Sequence, residues 1–135
     1  MKIGIYVLPF IALVGLSGCQ SIPMAEDAAS LDVSFEWSNR SRCSSISPEI
    51  KIGSIPSGTS FLKVKMIDLD KPSYPHGGGE VSYTMEPLIA EGALKSYTGP
   101  CPPNNPHRYE FTVQALNTEK NLILGEGKSV KRFPE

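Results

Sequence analysis

The chain has 135 residues and is close to electrically neutral, with 13 Lys and Arg against 14 Asp and Glu and a formal net charge of −1. No cluster or stripe of basic residues stands out, so the composition excludes nucleic acid as an expected partner. The 12 glycines and 12 prolines are spread at turn-like intervals, which favours a fold of short strands over one of long helices.

Residues 1–18 have the pattern of a secretory signal. Lys2 precedes an uncharged apolar run over residues 3–16, which is too short for a membrane span of about 20 apolar residues. The run closes on LSGC, which resembles the lipobox of bacterial lipoproteins. That resemblance implies that Cys19 is the first mature residue and carries acyl chains such as palmitate. An ordinary secretion signal with an incidental cysteine is the alternative.

The segment after the lipid site predicts where the protein lies. Gln20, in place of an Asp sorting signal, implies the outer membrane of a bacterial cell envelope, with the protein facing the periplasm. Residues 19–30 are small and polar and are predicted to be a lipidated tether. Residues 31–135 are long enough for one domain with one hydrophobic core.

Two cysteines remain once Cys19 is lipidated. In an oxidising compartment, Cys43 and Cys101 are predicted to form a disulfide. Such a bond closes a loop of roughly 60 residues and stabilises the fold by about 4 kcal/mol in the chain-entropy model. Two unpaired thiols or a metal-binding pair are the alternatives, and the second lacks a C-x-x-C motif or a nearby histidine cluster.

Alternating apolar residues predict strands. Residues 31–37 place Leu31, Val33, Phe35 and Trp37 on one face, and residues 62–66 and 109–115 repeat this period of two. Shorter candidate strands cover 50–52, 81–85 and 122–124, and one short helix is predicted around 86–94. The predicted class is mainly β, a sandwich with one or two short helices.

Three features are suggestive of catalysis or metal binding, but each lacks a part that such a site requires. HGGG at residues 76–79 resembles a lipase oxyanion loop, but the chain has no G-x-S-x-G nucleophile elbow. GEGKS at 125–129 lacks the first glycine of a phosphate loop, since position 122 is leucine. The histidines and aspartates have no spacing typical of a metal site. We therefore expect neither an enzyme nor a cofactor, with a hydrolase using His107 and Asp68 as an alternative.

Two loop segments carry a family resemblance. The sequence DLDKP at 68–72 and the sequence GPCPP at 99–103, followed by His107-Arg108-Tyr109, resemble motifs of the phosphatidylethanolamine-binding protein family, which includes Raf kinase inhibitor proteins and bacterial relatives. The resemblance implies a β-sandwich with a small pocket that binds anions such as phosphate groups. Family members also have a His-Trp pair, whose place by counting is taken here by Gly79 and Glu80, with His76 three residues earlier.

Chemistry agrees with a pocket of this kind. His107 and Tyr109 are two residues apart, so they share one face of a strand and could both donate to one anion, while Arg108 points away. Asp68 is expected to orient His107, and Gly99 to allow close backbone approach beside rigid prolines. The predicted ligand-binding residues are Asp68, Asp70, His76, Tyr97, Gly99, Pro100, His107 and Tyr109.

The sequence thus predicts a membrane-anchored, non-catalytic binding module, inhibitor-like in character. Its predicted partners are a small anionic or phosphate-bearing ligand, the membrane through the lipid on Cys19, and a protein. The competing hypothesis is a structural or protein-interaction domain that has lost the pocket.

Overall fold

The computed structural model describes Gly18 and residues 21–135. The predicted lipid site at Cys19 and most of the predicted signal lie outside these residues. Nine strands are present in the described part: β1 Met24–Ser30, β2 Asp32–Phe35, β3 Ile50–Gly53, β4 Phe61–Asp68, β5 Gly77–Ser82, β6 Leu88–Ile89, β7 Ser96–Tyr97, β8 His107–Leu116 and β9 Ile123–Phe133.

The strands form two sheets, as the prediction of a mainly β fold requires. A six-stranded sheet has the order β1-β9-β8-β4-β5-β7, and a three-stranded sheet has the order β2-β3-β6. The buried side chains of both sheets form one hydrophobic cluster, to which Phe35, Ile50, Met66 and Phe111 contribute. The predicted core faces are confirmed for residues 31–37, 62–66 and 109–115, whose apolar members alternate with more exposed ones.

Pairing between β4 and β8 sets the position of the loops at one end of the sandwich. The two strands are antiparallel and in register from the Phe61↔Leu116 pair to the Asp68↔Tyr109 pair. Since β4 ends at Asp68 and β8 starts at His107, the two motifs that carry the family resemblance meet at this end.

The predicted tether is wrong for residues 24–30, which form β1 and pair in parallel with β9. The reason lies in two glycines of β9 that admit a neighbouring backbone. A Cβ atom at Gly125 would come within 3.1 Å of the Ala29 carbonyl oxygen, and one at Gly127 would collide with that of Leu31. The same two glycines made the sequence of β9 resemble a loop, so only residues 122–124 of it were predicted as a strand.

The predicted helix around residues 86–94 is also wrong. This segment contains β6, which pairs with β3, and the Pro87 carbonyl accepts a hydrogen bond from the Ile52 amide at 2.8 Å. Gly92 has a φ of 74°, a conformation incompatible with a continuing helix. The strand predicted at 81–85 is shifted, because β5 ends at Ser82. No helix in the described residues is long and apolar enough to cross a membrane.

Candidate functional site

The centre of the site is a hydrogen bond between the end of β4 and the start of β8. His107 Nδ1 lies 2.7 Å from Asp68 Oδ2, and the two side chains are 20% and 5% exposed. Burial alone would raise the pKa of Asp68, but hydrogen bonds from His107 and from the Asp70 and Lys71 amides outweigh it and lower that pKa. An ionised carboxylate only accepts hydrogen bonds, so Nδ1 carries the proton and Nε2 is the atom that can meet a ligand.

Tyr109 lies below His107 on the same face of β8, as its spacing predicts. The two rings stack with centroids 6.3 Å apart. Tyr109 is completely buried, and its hydroxyl has no hydrogen-bond partner among the described residues. Burial, followed by the charge of Asp68, raises the pKa of Tyr109 to about 12. The phenol is therefore a neutral donor at physiological pH.

Tyr97 places a second phenol next to the first. It pairs with Gly77 through β7 and β5, and its ring stacks on Phe111 at 6.1 Å. Its hydroxyl is likewise buried without a partner in the described part of the chain. Burial, and then the neighbouring Tyr109, raise the pKa of Tyr97 above its usual value. Two buried hydroxyl groups without a described partner thus lie near each other, and the ring of one of them, Tyr109, stacks on His107.

His76 joins this cluster and supplies the second histidine of the site. It is buried, its ring meets Tyr109 edge-on at 5.3 Å, and its Nδ1 lies 2.8 Å from the Thr98 carbonyl oxygen. A carbonyl oxygen accepts, so this nitrogen donates. Glu80 belongs to the outer face instead, where it forms an ion pair with Lys120.

The proline-rich loop is fixed by the predicted disulfide, which the structure contains between Cys43 and Cys101, with Cα atoms 4.7 Å apart. Gly99 serves this connection. Its amide donates to the Ser44 carbonyl oxygen at 2.7 Å, and a Cβ atom would lie 2.7 Å from the Ser41 carbonyl oxygen. Gly99 allows a close approach, as predicted, and the group that approaches it is the backbone of Ser41 and Ser44. Pro100 is fully buried and forms part of the loop that packs over the cluster.

Asp70 is separate from the cluster. Its carboxylate accepts hydrogen bonds from the Arg108 backbone amide at 2.6 Å and from the Arg108 guanidinium at 3.1 Å. Arg108 points away from His107, as expected for the next residue along a strand. Asp70 therefore closes the turn after β4 from outside, apart from the other predicted ligand-binding side chains.

Two residues near the cluster were not among the predicted ligand-binding residues. Trp37 packs edge-on against Tyr109 at 6.0 Å, and its buried indole nitrogen has no partner in the described chain. Arg42 lies over the Phe133 ring, with Cζ 5.2 Å from its centroid. The sequence predicted the core-facing side of Trp37 but not its contact with Tyr109, and it gave no position for Arg42, because both contacts depend on how the loop after β2 folds back. A cavity of about 310 Å³ is lined by Trp37 and by residues of β2, of the segment between β2 and β3, and of β3, together with Glu91.

Comparison with known proteins supports the fold. The sequence model described as phosphatidylethanolamine-binding protein matches residues 75–134, which include every clustered side chain except Asp68 and Trp37. The crystal structure of Escherichia coli YbcL, described as a member of the mammalian PEBP family, superposes with a TM-score of 0.60. The chain has a phosphatidylethanolamine-binding-protein-like fold. This PEBP-like chain is 17% identical to YbcL, and the superposition covers 78% of the chain and 98% of YbcL.

A second solved structure gives the same fold. The homologue of phosphatidylethanolamine-binding protein from Chlamydia trachomatis superposes on the PEBP-like chain with a TM-score of 0.56 and 17% identity, over 80% of this chain and 99% of that protein. No curated protein matches the sequence. In the described residues of the PEBP-like chain, no group of three His, Cys, Asp or Glu is arranged to hold a metal ion.

Proposed function

We propose that the protein is a lipid-anchored lipoprotein of the bacterial outer membrane whose PEBP-like domain binds a small phosphate-type anion. The domain is inhibitor-like: it holds a phosphate-bearing group without converting it. The PEBP-like fold supports a binding-type domain. The LSGC sequence before Cys19 supports the anchor.

The observation that carries the binding proposal is the pair of unsatisfied phenols. Buried polar groups in folded proteins are almost always hydrogen-bonded, and leaving one unpaired costs about 1–3 kcal/mol. Tyr97 and Tyr109 both have such hydroxyls, and Tyr109 lies beside the partly exposed His107. An anion that accepts from the phenols and from His107 Nε2 would satisfy all of these donors together.

Charge favours an anion when His107 is protonated. Asp68 stabilises the imidazolium through the 2.7 Å hydrogen bond while accepting two backbone amides with its other oxygen. Because Asp68 occupies Nδ1, an imidazolium at His107 presents its Nε2–H as a charge-assisted donor.

A binding role is favoured over catalysis because the cluster has no activated nucleophile. Its nearest thiol, Cys101, is bonded to Cys43 and cannot attack an ester. The hydrolase alternative would instead require His107 to activate water. Turnover of phosphate or carboxylate esters by purified protein would contradict the proposal.

Titration with inorganic phosphate, followed through histidine NMR signals, tests the pocket directly. We expect saturable shifts of the His107 and His76 signals. Signals of residues next to Asp70 that lie outside the cluster should not shift. His107→Ala should remove most of the affinity. The matched control is Arg108→Ala, which alters the adjacent, outward-facing side chain. Phosphate shifts that saturate equally in both variants would contradict a pocket at His107.

A further inference from the structure

The Arg42 guanidinium lies at the edge of the proposed phosphate pocket. Its Nη1 donates to the Pro102 carbonyl oxygen at 3.2 Å, and its Cζ sits 5.2 Å from the centre of the Phe133 ring. Phe133 of β9 is the register partner of His107 at the start of β8. The Trp37 ring packs edge-on against both Phe133 and Tyr109, with centroid distances of 5.7 and 6.0 Å. The guanidinium therefore lies beside the side chains that form the proposed pocket, and its positive charge opposes the rise in the pKa of Tyr109 that burial causes.

Covalent and backbone bonds hold this arginine in place. The next residue, Cys43, is bonded to Cys101, and its amide donates to the Pro100 carbonyl oxygen at 2.8 Å. Cys43 has a φ of 52°, a left-handed conformation that residues other than glycine adopt only where the surroundings enforce it. The disulfide thus fixes the loop in the form that turns Arg42 toward the proline-rich segment.

Arg42 differs from nearby arginines in having no acidic partner. Arg40, two residues earlier, lies 3.7 Å from Glu91, and Arg108 lies 3.1 Å from Asp70. No carboxylate in the described residues forms a salt bridge with Arg42, and one of its five N–H donors is used by a protein acceptor. The remaining donors and the full charge are available to a ligand.

Charge balance shows why this cation matters. The charge of an imidazolium at His107 is offset by Asp68 at 2.7 Å, so this pair is neutral as a unit. Arg42 also lies near the cluster, and no carboxylate of the described residues forms a salt bridge that would offset its charge. Phosphate monoesters carry a charge of about −1.5 to −2 at pH 7, whereas a phosphodiester carries a single charge.

We propose that Arg42 is the permanent cation of the pocket, that the Cys43–Cys101 disulfide positions it there, and that it makes the pocket select phosphate monoesters over phosphodiesters. This inference rests on the proposed anion-binding function and names its ligand class. Guanidinium groups suit this role because their fixed fork of donors binds phosphate oxygens in pairs.

The test uses the full-length mature protein in an uncharged detergent, titrated calorimetrically with phosphorylethanolamine, a monoester, and with glycerophosphorylethanolamine, a diester. Arg42→Met should weaken monoester binding about tenfold, the effect of losing one charge-assisted hydrogen bond, and should weaken diester binding less. Arg42→Lys should restore part of the monoester affinity, because it keeps the charge without the fork. Arg40→Met is the matched control and should bind as wild type.

A second arm tests the role of the disulfide. The variant carrying Cys43→Ser and Cys101→Ser should lose the same monoester preference while its circular dichroism spectrum stays that of a folded β protein. Inorganic phosphate provides the third ligand: affinity equal to that of phosphorylethanolamine assigns recognition to the phosphate alone, and weaker affinity adds the head group.

The outcomes separate this inference from the proposed function. Wild-type binding that His107→Ala abolishes and Arg42→Met leaves unchanged overturns the role of Arg42 and keeps the pocket. Equal losses in Arg42→Met and Arg40→Met reduce the effect to general surface charge and also overturn the inference. Absence of any phosphate binding by the wild type overturns both proposals.

Discussion

Asp68 accepts a 2.7 Å hydrogen bond from His107 with one carboxylate oxygen and two backbone amides with the other. This carboxylate has two opposite effects on an anion, because it stabilises the imidazolium and also repels the ligand. We expect the first effect to prevail, so Asp68→Asn should weaken phosphate binding, because an amide stabilises a positive charge on His107 less than a carboxylate does.

Measuring the phosphate affinity of both proteins under the same conditions checks this prediction. Binding by Asp68→Asn that equals or exceeds that of the wild type would contradict the role of Asp68 in supporting His107.

Removing the hydroxyl of either buried phenol should raise the stability of the protein and weaken its phosphate binding. Tyr97→Phe and Tyr109→Phe each remove a hydroxyl that has no described partner, so neither should destabilise the unliganded protein, and each should raise its stability by up to about 1 kcal/mol. Each should nevertheless weaken phosphate binding. Tyr83→Phe, at a phenol outside the cluster, is the control. Denaturant unfolding and phosphate titration measure the two effects, and a destabilised Tyr109→Phe with unchanged affinity would contradict both.

Alkaline pH should destabilise the fold through Tyr109. The pKa of Tyr109 is raised from 10.0 to about 12, mainly by burial. A raised pKa means that the unfolded chain loses its proton first, so the stability due to neutral Tyr109 is intact below pH 10 and is lost between pH 10 and about 12. The loss is on the order of 2 kcal/mol. Tyr109→Phe should show a smaller decline in unfolding free energy over this range, and identical declines would contradict the assignment.

The disulfide should be a major contribution to stability. Cys43 and Cys101 are 58 residues apart in sequence, and a loop of this length corresponds to about 4 kcal/mol in the chain-entropy model. Mass spectrometry of the mature protein should find the two residues linked, and reduction should lower the melting temperature. Cys43→Ser alone should destabilise as much as the double serine variant, because either change breaks the bond. Two alkylatable thiols in freshly isolated protein would contradict the linkage.

Much of the sandwich could be predicted because alternation in the chain reports which faces are buried. Phe35, Val64 and Phe111 all lie in the core, and each was placed by a period of two. The meeting of Asp68 with His107 followed from motifs rather than from periodicity. That contact also needs the β4–β8 register, which motifs alone do not define.

The errors have a common physical cause in contacts between segments distant in sequence. β1 exists because Gly125 and Gly127 leave room for its backbone, and nothing in the small, polar sequence of residues 24–30 indicates a strand. Arg42 is positioned by the disulfide and by a hydrogen bond to Pro102, which lies 60 residues further along the chain. The separation of Asp70 from Asp68 was not predicted either, because it depends on the turn after β4, which directs Asp68 to His107 and Asp70 to Arg108.

The anchor is the prediction that depends on sequence alone. LSGC precedes Gln20, and lipid on Cys19 would hold the domain at the membrane by several acyl chains, since one chain binds only marginally. Cys19→Ser should abolish incorporation of labelled fatty acid and shift the protein from the membrane fraction to the soluble fraction. Ser17→Ala, which keeps a small residue within the motif, should leave both unchanged. Membrane retention of an unlabelled Cys19→Ser protein would show that another feature attaches it.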